Sequence, residues 1–369
     1  MKRKIMKMTA LLTAMCLLLA GCGGAGSTSS TASSAAETES AMQSGEETGE
    51  QSGDQTEEEA GQAAGELQKF SVVLDWYPNA VHAFLYDAIE KGYFAEEGLD
   101  VEIVFPSNDN DAITLVAAGK VDVGMYYMDD AIMTSANQGV PIRCIGTVVN
   151  TSLDIIASLA EKGISRPKDL DGKIIGFTDT LFGEAVIRCM LENDGVDPAN
   201  VQLINVGFDL MSSMTTGNVD ATYGCFINHE IPQLEKEGFP MNTFRLSDYG
   251  VPDYYALSFL AGADALEKDP ERFAKFLRGC QKGFADMRDD SENCLATLLD
   301  NQDSANFPLD PEIEKKSLDI LLPMMESEGK PFLYQDPAVF EENIAWLKEY
   351  GLLKNDIAAE DIIVNPMEP

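Results

Sequence analysis

Ala118-Gly119-Lys120-Val121-Asp122-Val123 and Thr216-Gly217-Asn218-Val219-Asp220-Ala221 repeat one short pattern, G-x-V-D, in separate parts of the chain. In each copy the glycine is placed to end a helix in the left-handed conformation, and Val-Asp opens a strand. Upstream of the first copy, Phe70–Leu74 reads as a strand, 83–94 as a helix, Val101–Val104 as a strand and 110–118 as a helix; 121–125 is the third strand. Upstream of the second, Lys173–Phe177, 183–194, Val201–Val206, 209–216 and 219–223 repeat the order. A βαβαβ series implies a parallel sheet with helices on its faces. Two such series predict an α/β protein of two similar lobes, each built on a mainly parallel sheet with flanking helices. The body from residue 69 to 369 is also long for a single core. Beyond 262 the pattern turns helical: Asp269-Pro270-Glu271 is a capped start, and further helices fit 290–300, 311–327 and 337–350. The apolar segments Asp154–Ala160 and Tyr254–Ala261 are expected to join the lobes as a two-segment hinge. The expected boundaries are 69–157 with 258–369 for the first lobe and 158–257 for the second.

The N-terminus addresses the chain. Lys2, Arg3, Lys4 and Lys7 precede an apolar run that includes Leu11, Leu12, Leu17, Leu18 and Leu19 and closes on Leu19-Ala20-Gly21-Cys22. A basic head, a short apolar core and a small-residue processing site form an export signal over 1–22; the run is too short to remain as a membrane span. Its end resembles the lipobox of bacterial lipoproteins, in which the cysteine is diacylated, and two acyl chains suffice for stable anchoring. Residues 23–68 have almost no large apolar side chain and carry ten Asp and Glu, with Lys and Arg absent before Lys69. Such a composition predicts a disordered acidic linker. The expected location is therefore the outer face of the cell membrane, held by lipid on Cys22.

The formal charge is −36, of which −30 falls on residues 69–369 (22 Lys and Arg against 52 Asp and Glu). A body this acidic repels phosphate backbones and argues against nucleic-acid binding. Five cysteines remain after Cys16 and Cys22: Cys144, Cys189, Cys225, Cys280 and Cys294. Their odd number, wide spacing and lack of a C-x-x-C pair speak against a zinc site or a disulfide framework. Burial as small apolar residues is expected, with a Cys280–Cys294 pair left open. No P-loop, G-x-S-x-G or strand-linked G-x-G-x-x-G occurs, and no catalytic residue, cofactor or metal is assigned.

The candidate site begins at Asp75-Trp76-Tyr77-Pro78-Asn79-Ala80-Val81-His82, directly after the first strand, where ligands of α/β sheets gather. Asp75, Asn79 and His82 offer polar atoms to a ring, and Trp76 and Tyr77 offer flat faces. Tyr126, Tyr127 and Asp129 follow the third strand. In the second lobe Tyr223, Asn228 and Glu230 come from the corresponding stretch, Tyr223-Gly224-Cys225-Phe226-Ile227-Asn228-His229-Glu230. Phe182 opens a helix, and Tyr254 stands beside the second joining segment. Two histidines, His82 and His229, are too few to argue for a metal.

The run Leu74–His82, with Lys91-Gly92-Tyr93-Phe94, Glu97–Val101, Gly119–Gly124, Lys168–Lys173 and Asp269–Phe276, resembles the solute-binding lipoproteins of ABC importers that belong with the thiamine-pyrimidine synthase-like family. The likeness spans 69–369. It implies a periplasmic-binding-protein-like fold that captures a small aromatic heterocycle, an aminopyrimidine thiamine precursor first, or riboflavin and other nitrogen heterocycles, as a monomer that serves a permease and its ATPase.

 
By the same resemblance Trp76 and a tyrosine stack the ring while Asn79 and Glu230 bond its nitrogens. The synthase of the family holds a pyridoxal cofactor on a lysine and uses a histidine four residues on. Those places are Tyr126 and Asp130 here, which can neither form the Schiff base nor replace the imidazole. The family's aromatic residue before N-H-E is Ile227 in this chain, with Phe226 one earlier. Cys22→Ala is expected to move the protein from the membrane fraction to the soluble extracytoplasmic fraction, as read by fractionation and immunoblotting.

Overall fold

The computed structural model describes residues 66–367 apart from 109, 179, 208 and 303–307. The export signal, Cys22 and the linker up to residue 65 lie outside the described residues. Among the described residues no helix is long and apolar enough to cross a membrane.

The chain runs through β1 (Gln68–Val73), α1 (Ala83–Glu90), α2 (Tyr93–Glu96), β2 (Leu99–Val104), α3 (Asp111–Ala117), β3 (Val123–Tyr126), α4 (Met128–Gln138) and β4 (Ile142–Val149). It then enters a second sheet with β5 (Asp154–Leu159), β6 (Ile174–Phe177), α5 (Leu181–Asn193), β7 (Gln202–Asn205), α6 (Leu210–Thr215), β8 (Ala221–Phe226), α7 (Glu230–Lys236) and β9 (Met241–Arg245). It returns with β10 (Leu257–Gly262), followed by α8 (Ala263–Lys268), α9 (Pro270–Asp289), α10 (Ser291–Asp300), α11 (Pro311–Met325) and α12 (Pro337–Glu349).

The strand orders are β2-β1-β3-β10-β4 and β7-β6-β8-β5-β9. The parallel cores β2-β1-β3 and β7-β6-β8 are counterparts, which is the duplication read from the sequence. Both sheets are mixed rather than mainly parallel, because β10 and β5 run against their neighbours. The reason is topological. Each of these strands starts where the chain has just crossed between sheets, at the edge where the parallel strands finish. The segments Asp154–Ala160 and Tyr254–Ala261 are thus largely the strands β5 and β10, and the crossings are the stretches 150–153 and 246–256.

The repeated G-x-V-D has a structural cause. Gly119 and Gly217 adopt φ of 62° and 77° and end the preceding helical turns, a conformation that costs a residue with a Cβ. Asp122 Oδ2 then accepts the Ser71 N–H at 2.8 Å, and Asp220 Oδ2 accepts the Ile174 N–H at 3.1 Å. Each aspartate ties the start of its strand to the middle strand, β1 or β6, of its parallel trio. Arg272 pairs with Asp122 at 2.5 Å and Lys162 with Asp220 at 3.0 Å.

The core of the first lobe is aromatic. Phe94, Phe276 and Phe70 stack in series with ring centroids 5.5 and 4.8 Å apart, and Phe259 meets Phe276 edge-on at 5.1 Å. The five described cysteines are all buried free thiols, so Cys280 and Cys294 do not pair. Where α9 packs on α1, a Cβ at Gly283 would lie 2.3 Å from the Phe84 carbonyl oxygen and 2.9 Å from the Ala88 Cβ. Gly283→Ala is therefore expected to destabilise the protein by about 1–3 kcal/mol through overpacking against backbone, measured by urea unfolding.

Candidate ligand-binding cleft

Strand ends from both sheets open onto one cleft of about 1280 Å³. From the first sheet come the loop after β1, with Asp75, Trp76, Tyr77 and Asn79, and the residues ending β3, Tyr126 and Tyr127. The second sheet supplies Thr178 after β6, Asn205 at the end of β7, Phe226 at the end of β8, and Asn228, His229 and Glu230 beyond it. A bulge in β8 falls at Gly224, which has φ of 105° and also lines the cleft. Such a bulge turns a strand end away from regular pairing.

The loop after β1 is held by its own polar groups. Asn79 caps the short turn Ala80–His82: its Oδ1 accepts the Val81 N–H at 3.1 Å, and its amide donates to the Tyr77 carbonyl at 3.3 Å. The Asn79 N–H donates in turn to His82 Nδ1 at 3.1 Å, leaving Nε2 as the proton-bearing nitrogen, 2.9 Å from Asp75 Oδ1. His82 is fully buried and lies behind the cleft wall with both ring nitrogens engaged. It braces Asp75 rather than facing a ligand. Trp76, by contrast, is 45% exposed and meets Tyr77 edge-on at 5.7 Å.

Across the cleft, Glu230 Oε2 accepts the Phe226 N–H at 2.8 Å, which fixes the carboxylate over the first turn of α7. Asn228 donates from Nδ2 to Ser317 Oγ at 3.0 Å, while its buried Oδ1 has no hydrogen-bond partner. Leaving a buried acceptor unpaired costs about 1–3 kcal/mol. Phe226 takes the aromatic place in the wall and meets Tyr127 edge-on at 6.4 Å; Ile227 packs into the core.

Four other residues expected at the site are placed elsewhere. Asp129, Tyr223 and Tyr254 are buried outside the cleft lining, and Phe182 packs edge-on between Tyr254 and Trp346 at 5.7 and 5.9 Å. They form the wall's backing at the crossings. Tyr254 donates to Asp154 Oδ2 at 2.7 Å. Burial pushes the carboxyls of Asp154 and Asp130 up to about 6, and holds Asp129 well above the usual carboxylate range with Asp130 and Asp154 adding to the effect. Tyr127, Tyr223 and Tyr254 are likewise raised well above their ordinary value, by burial first and nearby carboxylates second.

The main omission of the sequence reading is α11. Asp310, Ile313 and Glu314 line the cleft, and Glu314, 1% exposed, accepts the Ala80 N–H at 2.7 Å. Asp310-Pro311 marks a helix start in the sequence, but nothing local says what that helix faces.

A model of the family described as NMT1/THI5 like matches residues 79–293. The chain belongs to this family. Its relatives include a formylaminopyrimidine-binding protein of Halalkalibacterium halodurans, 42% identical over 80% of this chain and 89% of that protein. A 4-amino-5-hydroxymethyl-2-methylpyrimidine phosphate synthase of Saccharomyces cerevisiae is 28% identical over 58% of this chain and 65% of its own length. Among solved structures, the ligand-binding component of an ABC-type import system from Staphylococcus aureus superposes with a TM-score of 0.60 at 13% identity, over 81% of this chain and 97% of the other. That likeness establishes the two-lobed periplasmic-binding-protein fold for this member of the NMT1/THI5-like family.

The raised carboxyl of Asp154 has a signed consequence for stability. Its pKa lies higher in the folded chain than in the unfolded one, so ionisation from about pH 4 to about 6 lowers stability, and the loss is complete above that range. Asp154→Asn keeps an acceptor for Tyr254 and removes the ionisation. Relative to the parent, the variant should gain stability as pH rises from 4 to 7, measured by thermal melts across that range.

Proposed function

We propose that this chain is the extracytoplasmic solute-binding protein of an ABC importer. It captures an aminopyrimidine-like heterocycle between its lobes and delivers it to a permease driven by a separate ATPase. The observation that carries this reading is the cleft itself, which sets aromatic faces beside fixed hydrogen-bond acceptors from both lobes. Trp76 and Tyr127 supply faces on which a flat ring can stack. Glu230 and the unpartnered Asn228 Oδ1 are suited to amino and ring N–H groups. Asp75, Glu230, Glu237, Asp310 and Glu314 outnumber His229 and Lys236 around the cleft, which favours a ligand rich in donors over an anion. The 42% identical relative, named for binding formylaminopyrimidine, supports the same ligand class.

The cleft exceeds the roughly 300–1,000 Å³ of ordinary small-molecule pockets, so a single heterocycle fills it only after the lobes approach. The crossings at 150–153 and 246–256 are where that motion is hinged. In this reading the protein works as a monomer on the outer face of the membrane, with lipid on Cys22 and residues 23–68 as its leash. It is a carrier and not an enzyme. The position where the family's synthase has its cofactor lysine holds Tyr126, whose hydroxyl is bound to Asn110 Oδ1 at 3.3 Å, and a phenol cannot form a Schiff base.

Titration calorimetry of the intact chain with formylaminopyrimidine and with riboflavin tests the assignment. Trp76→Ala and Glu230→Ala are each expected to weaken heterocycle binding by about 30-fold or more with little change in melting temperature. Unchanged affinity in both variants would remove the site from this cleft.

A further inference from the structure

Two segments that face the cleft from opposite lobes meet on α11. One is the loop after β1, whose Ala80 N–H donates to Glu314 Oε2 at 2.7 Å. The other is the turn after β8, whose His229 places Nε2 at 3.8 Å from Glu314 Oε1. Glu314 is nearly fully buried, so its carboxylate cannot trade these partners for water. The α11 helix itself packs on the Ala80–His82 turn and on β4, and so belongs with the first sheet. The α7 helix packs on β8 and β9 of the second. Three further contacts join the same two regions. Asn228 donates to Ser317 at 3.0 Å, and Lys236 pairs with Asp310 at 2.6 Å and with Glu312 at 3.1 Å.

We propose that Glu314 is a positioning residue of the ligand site: through His229 it couples the ligand-facing loop of one lobe to the ligand-facing turn of the other, and ligand retention depends on that coupling. The proposal rests on the cleft being the ligand site. Breaking the tie frees the lobes to separate, so closure around a ligand has more motion to overcome, and affinity falls.

The tie carries a pH dependence of definite sign. The charged groups facing His229 are Glu230, the first residue of α7, with Oε1 3.4 Å from Nδ1, and Glu314 on α11. Both hold the imidazole above its ordinary value, Glu230 contributing first. Burial raises Glu314, with His229 acting in the opposite direction. As pH climbs through the raised value of His229, the imidazolium charge is lost and the tie loosens on the alkaline side.

The test is amide hydrogen exchange of the intact, ligand-free chain, paired with calorimetry using formylaminopyrimidine. Glu314→Gln keeps an acceptor for Ala80 and removes the charge. Exchange across 228–236 should accelerate by at least about fivefold, and affinity should fall by a similar factor. The parent's loss of protection between pH 6 and 8.5, after correction for intrinsic exchange, should flatten in the variant. Parent-like protection, pH profile and affinity in Glu314→Gln would overturn the proposal. If that variant fails to fold, Lys236→Met cuts the outer contact of the same pair of helices. Faster exchange over 230–236 supports the coupling, and unchanged exchange refutes it. Absence of binding by the parent would fail the ligand assignment alone, since the exchange readout uses no ligand.

Discussion

The whole molecule depends on the chain passing from one sheet to the other and back through two adjacent crossings. These crossings are fastened to each other. Asp253 of the second accepts from Thr151 Oγ1 at 2.6 Å and from the Ser152 N–H at 2.9 Å in the first. Tyr254, the next residue, donates to Asp154 at the entry to β5. Asn343 of α12 adds a bond to the Asp253 carbonyl at 3.0 Å. A pair of crossings fastened in this way joins the two sheets through one connecting region. It also fixes the reversed strand in each sheet, since a strand leaving a crossing must run away from the cleft.

From that arrangement the distribution of charge follows. The parallel strands deliver their C-terminal ends to the cleft, and the loops there carry the polar side chains that no sheet interior can hold. Among the described acids Asp75, Asp87, Asp129 and Glu314 are buried, and Asp87 pairs with Lys91 at 3.3 Å. Asp75 is matched by His82, and Glu314 by a backbone N–H and His229. The raised carboxyls of Asp129, Asp130 and Asp154 record the desolvation that the crossing region sustains. These desolvated carboxyls lie at the crossings between the sheets, behind the cleft wall.

Much of the fold was legible because its signals are local. The helices and strands around each G-x-V-D copy fall within a few residues of their observed bounds, since periodicity and a helix-ending glycine act within a turn or two. The reason for the aspartate in the motif was not legible, because Ser71 and Ile174 lie far from Asp122 and Asp220 in sequence. The reversal of β5 and β10 was missed for a related reason: a strand's direction relative to its neighbours depends on which edge of the sheet the chain enters. At the site, the stretches after β1 and β8 could be found from their place behind strands. Side-chain facing could not. His82, Tyr223, Tyr254, Phe182 and Asp129 share composition with Trp76 and Tyr127, yet packing turns them into the wall.

The sequence by itself determined the duplicated α/β order, the acidic body, the positions of the loops at the strand ends and the family to which they belong. All of these rest on residue chemistry and spacing along the chain, which tertiary contacts do not alter. Only the tertiary structure decided that α11 lines the cleft, that Glu314 meets both Ala80 and His229, and that Asn79 and His82 shape the loop. Those outcomes depend on separated segments arriving at one place. Packing of apolar faces brings them there, and the same sequence pattern is compatible with many such arrivals.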